Sequence, residues 1–280
     1  MPTAHNGDCQ IYYETFGDPA DPALLMVNGL GSQCINYKDE WCQRFAARHL
    51  FVIRFDNRDM GLSTHFTDAP VGEHGECYLL SDMAADAVAE LDDLDIEAAH
   101  IMGLSTGGMI VQTIAIEHPE RVLTLTSVMS STGEAGYGAP TERAFALLTA
   151  PPATDEASAV DRAVAGLGEW GSPEFADPDR WAADARAAYA RCFDPLGTTR
   201  QFLAVRASGS RADLLPHLRV PTLVMHGDRD TLIGWDAGKR TAELIPGARL
   251  ELIEGMGHDY PPQLWDRWVD LVTGHIAANT

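Results

Sequence analysis

The 280-residue sequence predicts an α/β fold, with a mostly parallel central sheet flanked by helices and a helical insertion. Three observations carry this. Short apolar runs without strict alternation, such as Ala23–Val27 and Phe51–Phe55, suit sheet strands buried on both faces. Segments with helical spacing alternate with them, as a parallel sheet requires. From 130 to 216 this alternation stops, no strand of weight is predicted, and helical stretches take over. The predicted division is a first core part at 1–132, a helical cap at 133–216 and a second core part at 217–280.

In order along the chain, Cys9–Phe16 alternates as a strand, and Gly17-Asp18-Pro19 with Asp21-Pro22 makes a turn. Ala23–Val27 reads as an interior strand ending in Asn28-Gly29-Leu30-Gly31, and a helix is predicted over about 35–48. Phe51–Phe55 is the next strand, followed by a loop over 64–76 and a helix over 81–94, where Met83, Val88, Leu91 and Leu94 keep helical spacing. A strand is predicted over 122–129. Helices are predicted over 141–148, 157–170, 178–193 and 198–208. Strands at 222–226 and 250–253 and helices at 241–245 and 264–276 complete the reading.

The stretch around which this order turns is 98–118, AAHIMGLSTGGMIVQTIAIEH. An apolar run breaks at Gly103-Leu104-Ser105-Thr106-Gly107 and resumes as a helix that Pro119 stops. Strand, glycine-flanked turn, helix, with Ser105 at the apex, is the G-x-S-x-G elbow. A serine that attacks a carbonyl must project from packed structure, so a tight corner suits it. Gly103 and Gly107, lacking Cβ atoms, let strand and helix converge there. The backbone N–H of Thr106, at the helix start, then points to where an oxyanion would develop.

Open α/β sheets bind ligands at the carboxyl ends of their strands. Ser105, Asp230 and His258 each lie just past such an end, in the chain order Ser…Asp…His. His258 is the candidate general base and Asp230 the group that orients it. His226 also ends a strand and is the rival histidine. Asp228 shares a turn with Asp230 and could instead cap that turn, so both stay open, with Asp230 favoured. The backbone N–H of Leu30, between Gly29 and Gly31, is the candidate second oxyanion donor. Asp56-Asn57-Arg58-Asp59 lies near the sheet's carboxyl edge; a buried ion-pair network that fixes its loop is favoured over a functional role.

A net charge of −21 and the absence of any basic run argue against nucleic-acid and anionic-membrane partners. No segment has the apolar length of a membrane span, and the N-terminus lacks a secretory pattern, so a cytoplasmic location is expected. Five cysteines without C-x-x-C spacing are expected to be reduced thiols. There is no H-E-x-x-H and no P-loop, and Gly29-x-Gly31 lacks a third glycine at Cys34. No metal and no cofactor are expected.

Gly29-Leu30-Gly31, the run from Phe55 to Ser63, Gly103-Leu-Ser-Thr-Gly-Gly, His118-Pro-Glu-Arg-Val, the run from Val220 to Asp230, and Gly255-Met-Gly-His together resemble the α/β-hydrolase superfamily over the whole chain. Gly17-Asp-Pro-Ala-Asp-Pro-Ala-Leu-Leu and Glu254-Gly-Met-Gly-His resemble its aclacinomycin methylesterase-like esterase branch. Two departures stand out: Asn28 occupies a position where many relatives have histidine, and Asp59-Met60 falls where many have glycine. The resemblance implies a serine hydrolase that cleaves a carboxylic ester of a small apolar metabolite, a methyl ester or similar, through an acyl-enzyme on Ser105. Ser105 argues against the epoxide hydrolases and haloalkane dehalogenases of the superfamily, which carry aspartate there. Candidate substrate-lining residues between core and cap are Met102, Met129, Trp181, Tyr189, Phe193 and Met256. The alternatives are a lactonase, of homoserine lactone or enol-lactone type, and a hydrolase-fold receptor that binds a small molecule without turning it over. The expected partner is a small-molecule ester or lactone, and a homo-oligomer is compatible with the sequence.

Overall fold

A computed structural model describes residues 2–69, 72–73 and 75–280. Eight strands form one sheet: β1 (Thr3–Asn6), β2 (Cys9–Phe16), β3 (Ala23–Val27), β4 (Phe51–Phe55), β5 (Ala99–Leu104), β6 (Val122–Val128), β7 (Thr222–Gly227) and β8 (Arg249–Ile253). Their spatial order is β1-β2-β4-β3-β5-β6-β7-β8. The β1–β2 and β2–β4 pairs are antiparallel and every other pair is parallel.

Five helices cover the sheet: α1 (Asp39–Ala46), α2 (Leu80–Asp93), α3 (Thr106–Glu117), α8 (Trp235–Leu244) and α9 (Trp265–Ala277). The interior strands are buried on both faces, and this explains their continuous apolar runs. Leu25 and Val27 of β3 face a cluster built with Met83, Leu91, Ile110 and Ile114 of α2 and α3. Leu24 and Met26 face the opposite cluster, with Trp41 and Phe45 of α1 and Trp265 and Trp268 of α9. Among the described residues no helix is long and apolar enough to cross a membrane.

Between β6 and β7 run α4 (Glu142–Leu148), α5 (Glu156–Trp170), α6 (Pro178–Arg191) and α7 (Pro195–Ser208), with no strand among the described residues. Thr141, Asp155, Asp177 and Asp194 each accept a backbone N–H at the start of one of these helices. Arginines pin the inserted helices to the core. Arg191 pairs with the fully buried Asp56 at 2.7 Å. Arg200 pairs with the equally buried Asp59 at 2.7 Å and with Asp194 at 2.5 Å. With Arg58–Asp86 at 2.6 Å, the charged run at 56–59 forms the buried network its composition suggests.

Some boundaries differ from the sequence reading. β1 was not anticipated; it pairs with β2 across the two-residue Gly7-Asp8 turn. The helix expected over 35–48 starts only at Asp39, because Tyr37 leaves the helical path and donates its hydroxyl to Val27 O at 2.8 Å. α8 begins at Trp235, six residues before 241. The loop expected over 64–76 includes 70, 71 and 74, which lie outside the described residues.

Candidate active site

β5 ends at Leu104, α3 starts at Thr106, and Ser105 makes the corner between them with φ +57° and ψ −118°. A non-glycine residue in that region stores roughly 1–3 kcal/mol of strain and persists only when its surroundings hold it there. Both sides of Ser105 are held. Its N–H donates to Val128 O at 2.9 Å, and its carbonyl accepts from Gly108 N at 2.9 Å and from Ser130 Oγ at 2.7 Å. A Cβ on Gly103 would stand 2.1 Å from Gly107 O, and one on Gly107 2.1 Å from Val27 O. Strand, helix and the loop after β3 therefore meet backbone to backbone around the serine, which is the packing reason for both glycines.

That loop lies beside the Ser105 side chain, since a Cβ on Gly29 would be 3.3 Å from Ser105 Cβ and 3.9 Å from its Oγ. Asn28 is buried; its amide donates to Phe55 O at 3.3 Å and its carbonyl accepts from Asn57 Nδ2 at 3.0 Å. Gly31 N donates to Gln201 Oε1 of α7 and Ser32 N to Gly29 O, whereas the N–H of Leu30 has no partner among the described residues. Thr106, as the first residue of α3, also has an N–H without an intrahelical acceptor.

Past β7, Asp230 is buried and His258, past β8, donates Nδ1–H to its Oδ2 at 2.6 Å. The other carboxylate oxygen accepts Leu232 N at 2.9 Å and Ile233 N at 2.8 Å. Burial alone would raise the Asp230 pKa, but His258 and His226 together hold it down at about 2. The partner at Nδ1 sets the His258 tautomer and leaves Nε2 as the acceptor. Asp228 is turned away; it is exposed and accepts Gly255 N at 2.8 Å.

His226 has a different place from the one sequence reasoning weighed. It is fully buried, with Nε2 2.8 Å from Ile233 O and 3.3 Å from Asp230 Oδ2, the same carboxylate oxygen that His258 bonds. Gly238 explains how the ring fits: a Cβ there would stand 2.4 Å from His226 Nδ1.

β5 and β7 flank β6, so their ends lie roughly two strand spacings, about 10 Å, apart. No hydrogen bond joins Ser105 Oγ to His258 Nε2 among the described residues.

Of the six candidate lining residues, Met102, Met129, Trp181 and Met256 are buried, Tyr189 is half-buried and Phe193 is exposed. Met102, Met129 and Met256 are buried in the core cluster with Trp41 and Trp265. Met129 is buried just past β6 with φ +40°, and Trp181 is buried on α6. Tyr189 and Phe193 meet at the end of α6 with ring centroids 4.5 Å apart and planes tilted by 42°. Asp59, His65 and Asp194 come close enough to share a cation, but Arg200 bonds both carboxylates and supplies the positive charge there.

The profile describing the alpha/beta hydrolase fold matches residues 22–260. The chain belongs to the α/β-hydrolase family. Curated members similar to this α/β-hydrolase include rhodomycin D methylesterase DauP of Streptomyces sp. (strain C5), 30% identical with 96% of each chain covered. Rhodomycin D methylesterase DnrP of Streptomyces peucetius is also 30% identical, with both chains covered over their whole length. This is the methylesterase branch to which the sequence resemblance pointed. Among solved structures, the enol-lactonase from Burkholderia xenovorans LB400 superposes with a TM-score of 0.79 at 22% identity, covering 99% of this chain and 100% of that one, and shares the fold.

Proposed function

We propose that this α/β-hydrolase cleaves a carboxylic ester of a small apolar metabolite, a methyl ester or similar, with Ser105 as nucleophile, His258 as general base and Asp230 as its orienting carboxylate. Residues 133–216 act as a cap over the site. The observation that carries the reading is Ser105 itself: a strained, backbone-pinned serine at a strand–helix corner, beside a loop whose Leu30 N–H, like the Ser105 hydroxyl, has no partner among the described residues. Full-length likeness to two methylesterases supports the ester class.

In this mechanism Ser105 Oγ attacks the ester carbonyl carbon while its proton passes to His258 Nε2. The N–H groups of Leu30 and Thr106 take the charge that develops on the carbonyl oxygen; one such donor typically contributes 10²–10³-fold to turnover. The ester C–O bond then breaks, and the departing alkoxide takes the proton from Nε2. Water repeats the sequence on the acyl-serine and releases the acid. Hydrogen bonds between nucleophile and base commonly tighten only when substrate is seated.

The test has two parts. Incubation with a fluorophosphonate, followed by peptide mass analysis, is expected to place the adduct on Ser105. A rate survey over methyl esters, lactones and aryl esters of graded acyl length is expected to favour methyl esters. Faster opening of homoserine lactones would move the assignment to lactonase, and tight ligand binding without any adduct would move it to a receptor.

A further inference from the structure

α5 ends at Trp170, and its continuation passes directly over the loop that carries His258. His258 N donates to Trp170 O at 2.5 Å, and Gly257 N donates to Ser172 Oγ at 2.9 Å. Ser172 N donates to Asp259 Oδ1 at 2.9 Å, and the Ser172 hydroxyl donates to the same oxygen. Three consecutive residues of the histidine loop are thus bonded to residues 170–172. The approach is backbone on backbone, since a Cβ on Gly257 would lie 2.3 Å from Trp170 O. The Asp230 side is tied to the same helix end, where Thr231 Oγ1 donates to Glu169 O at 3.0 Å.

We propose that Ser172 and Asp259 are a positioning pair, a clasp through which the end of α5 holds the His258 imidazole in line with Ser105. This rests on the assignment of Ser105 and His258 as nucleophile and base. Neither clasp residue touches the reacting atoms. Ser172 is completely buried, and its hydroxyl is acceptor and donor at once, so it joins the backbone before His258 to the side chain after it. Asp259 is buried, its Oδ2 has no hydrogen-bond partner among the described residues, and burial pushes its pKa above the usual carboxylate range. A half-satisfied buried carboxyl is costly, and packing alone would be served better by an apolar side chain. Its retained contact is the one to Ser172, 87 residues away, beside the catalytic histidine.

The experiment uses the full chain with p-nitrophenyl acetate and four variants: Ser172→Ala, Asp259→Ala, the double variant and Asp259→Asn. A misplacement of about 1 Å costs on the order of 10²-fold, so each alanine variant is expected to lose about 10²-fold in kcat with KM within about twofold. The double variant is expected to be no slower than the slower single, because both changes open one clasp. Asp259→Asn keeps an acceptor for Ser172 and is expected to recover about tenfold or more of the loss. The proposal is overturned if a folded Ser172→Ala variant keeps kcat within about threefold of wild type, if the loss falls in KM, or if the single effects multiply in the double. Should Ser172→Ala not fold, Asp259→Ala against Asp259→Asn decides: equal losses overturn it. Failure of the underlying assignment looks different. It would leave Ser105 unlabelled by the fluorophosphonate in wild type, whereas failure of the clasp alone leaves wild type and Ser172→Ala labelled at the same rate.

Discussion

Substituting Asp230 by asparagine should reduce turnover through the tautomer of His258, with the fold left intact. The two backbone donors at Oδ1, Leu232 N and Ile233 N, demand an acceptor. The amide oxygen of Asn must therefore take that position, which turns its NH₂ group toward His258 Nδ1, 2.6 Å away in the native pair. Nδ1 then has to accept, and the proton moves to Nε2, the nitrogen that receives the Ser105 proton in the proposed mechanism. A wrong-tautomer triad elsewhere loses about 10⁴-fold in kcat, or roughly 5 kcal/mol of barrier. Steady-state hydrolysis of p-nitrophenyl acetate at neutral pH measures it, with Asp228→Asn alongside. Asp228 lacks contact with the imidazole, so its variant should stay within about tenfold of wild type. A loss below about tenfold in Asp230→Asn, or a larger one in Asp228→Asn, would refute the reasoning.

Three further outcomes follow from the same geometry. Asp230, held at about 2 in the fold against 3.8 in the unfolded chain, contributes on the order of 2 kcal/mol of stability that is complete above about pH 4 and lost as pH falls toward 2. Urea midpoints between pH 5 and pH 2.5 should fall less steeply in Asp230→Asn. Glu90 is fully buried, neither carboxylate oxygen has a partner among the described residues, and burial, with Asp86 nearby, raises its pKa well above the usual value. It takes up a proton on folding, so its stabilising effect is greatest at low pH and declines by about 1.4 kcal/mol per pH unit as pH rises above the unfolded pKa. Glu90→Gln should therefore match wild type near pH 4 and raise Tm progressively above it, as calorimetry across that range would record. In Gly107→Ala the new Cβ, 2.1 Å from Val27 O, must push the loop carrying Leu30 away by close to an ångström. About 10²-fold in kcat should be lost while the circular dichroism spectrum stays native.

The sheet and the inserted helices were legible because each element states its own period. Strands buried on both faces read as unbroken apolar runs, and three of the four inserted helices open on an aspartate cap followed by a helical pattern. β1 escaped because four residues carry too little pattern, and only the Asn6-Gly7 pair marks its turn. α8 looked short because Gly238 argues against a helix interior; that glycine answers to the buried ring of His226, which local sequence does not reveal. The elbow, the aspartate and the histidine could be placed because each follows a strand end in a recognisable order. Ser172 and Asp259 could not, since neither sits in a motif and their partnership exists only once α5 has docked.

The salt links from Arg191 and Arg200 bear on how a ligand gets in. Lifting α6 and α7 as one piece would strand the carboxylates of Asp56 and Asp59, both wholly enclosed. An abandoned interior charge costs about 3–5 kcal/mol, so fewer than roughly one molecule in a hundred would stand open that way. Neither arginine ties α4 or the first turns of α5, so the expected route for a ligand lies on that side of the inserted helices. Such an enzyme needs no oil–water boundary to wake it: its velocity should climb smoothly with dissolved substrate, without a jump where micelles appear.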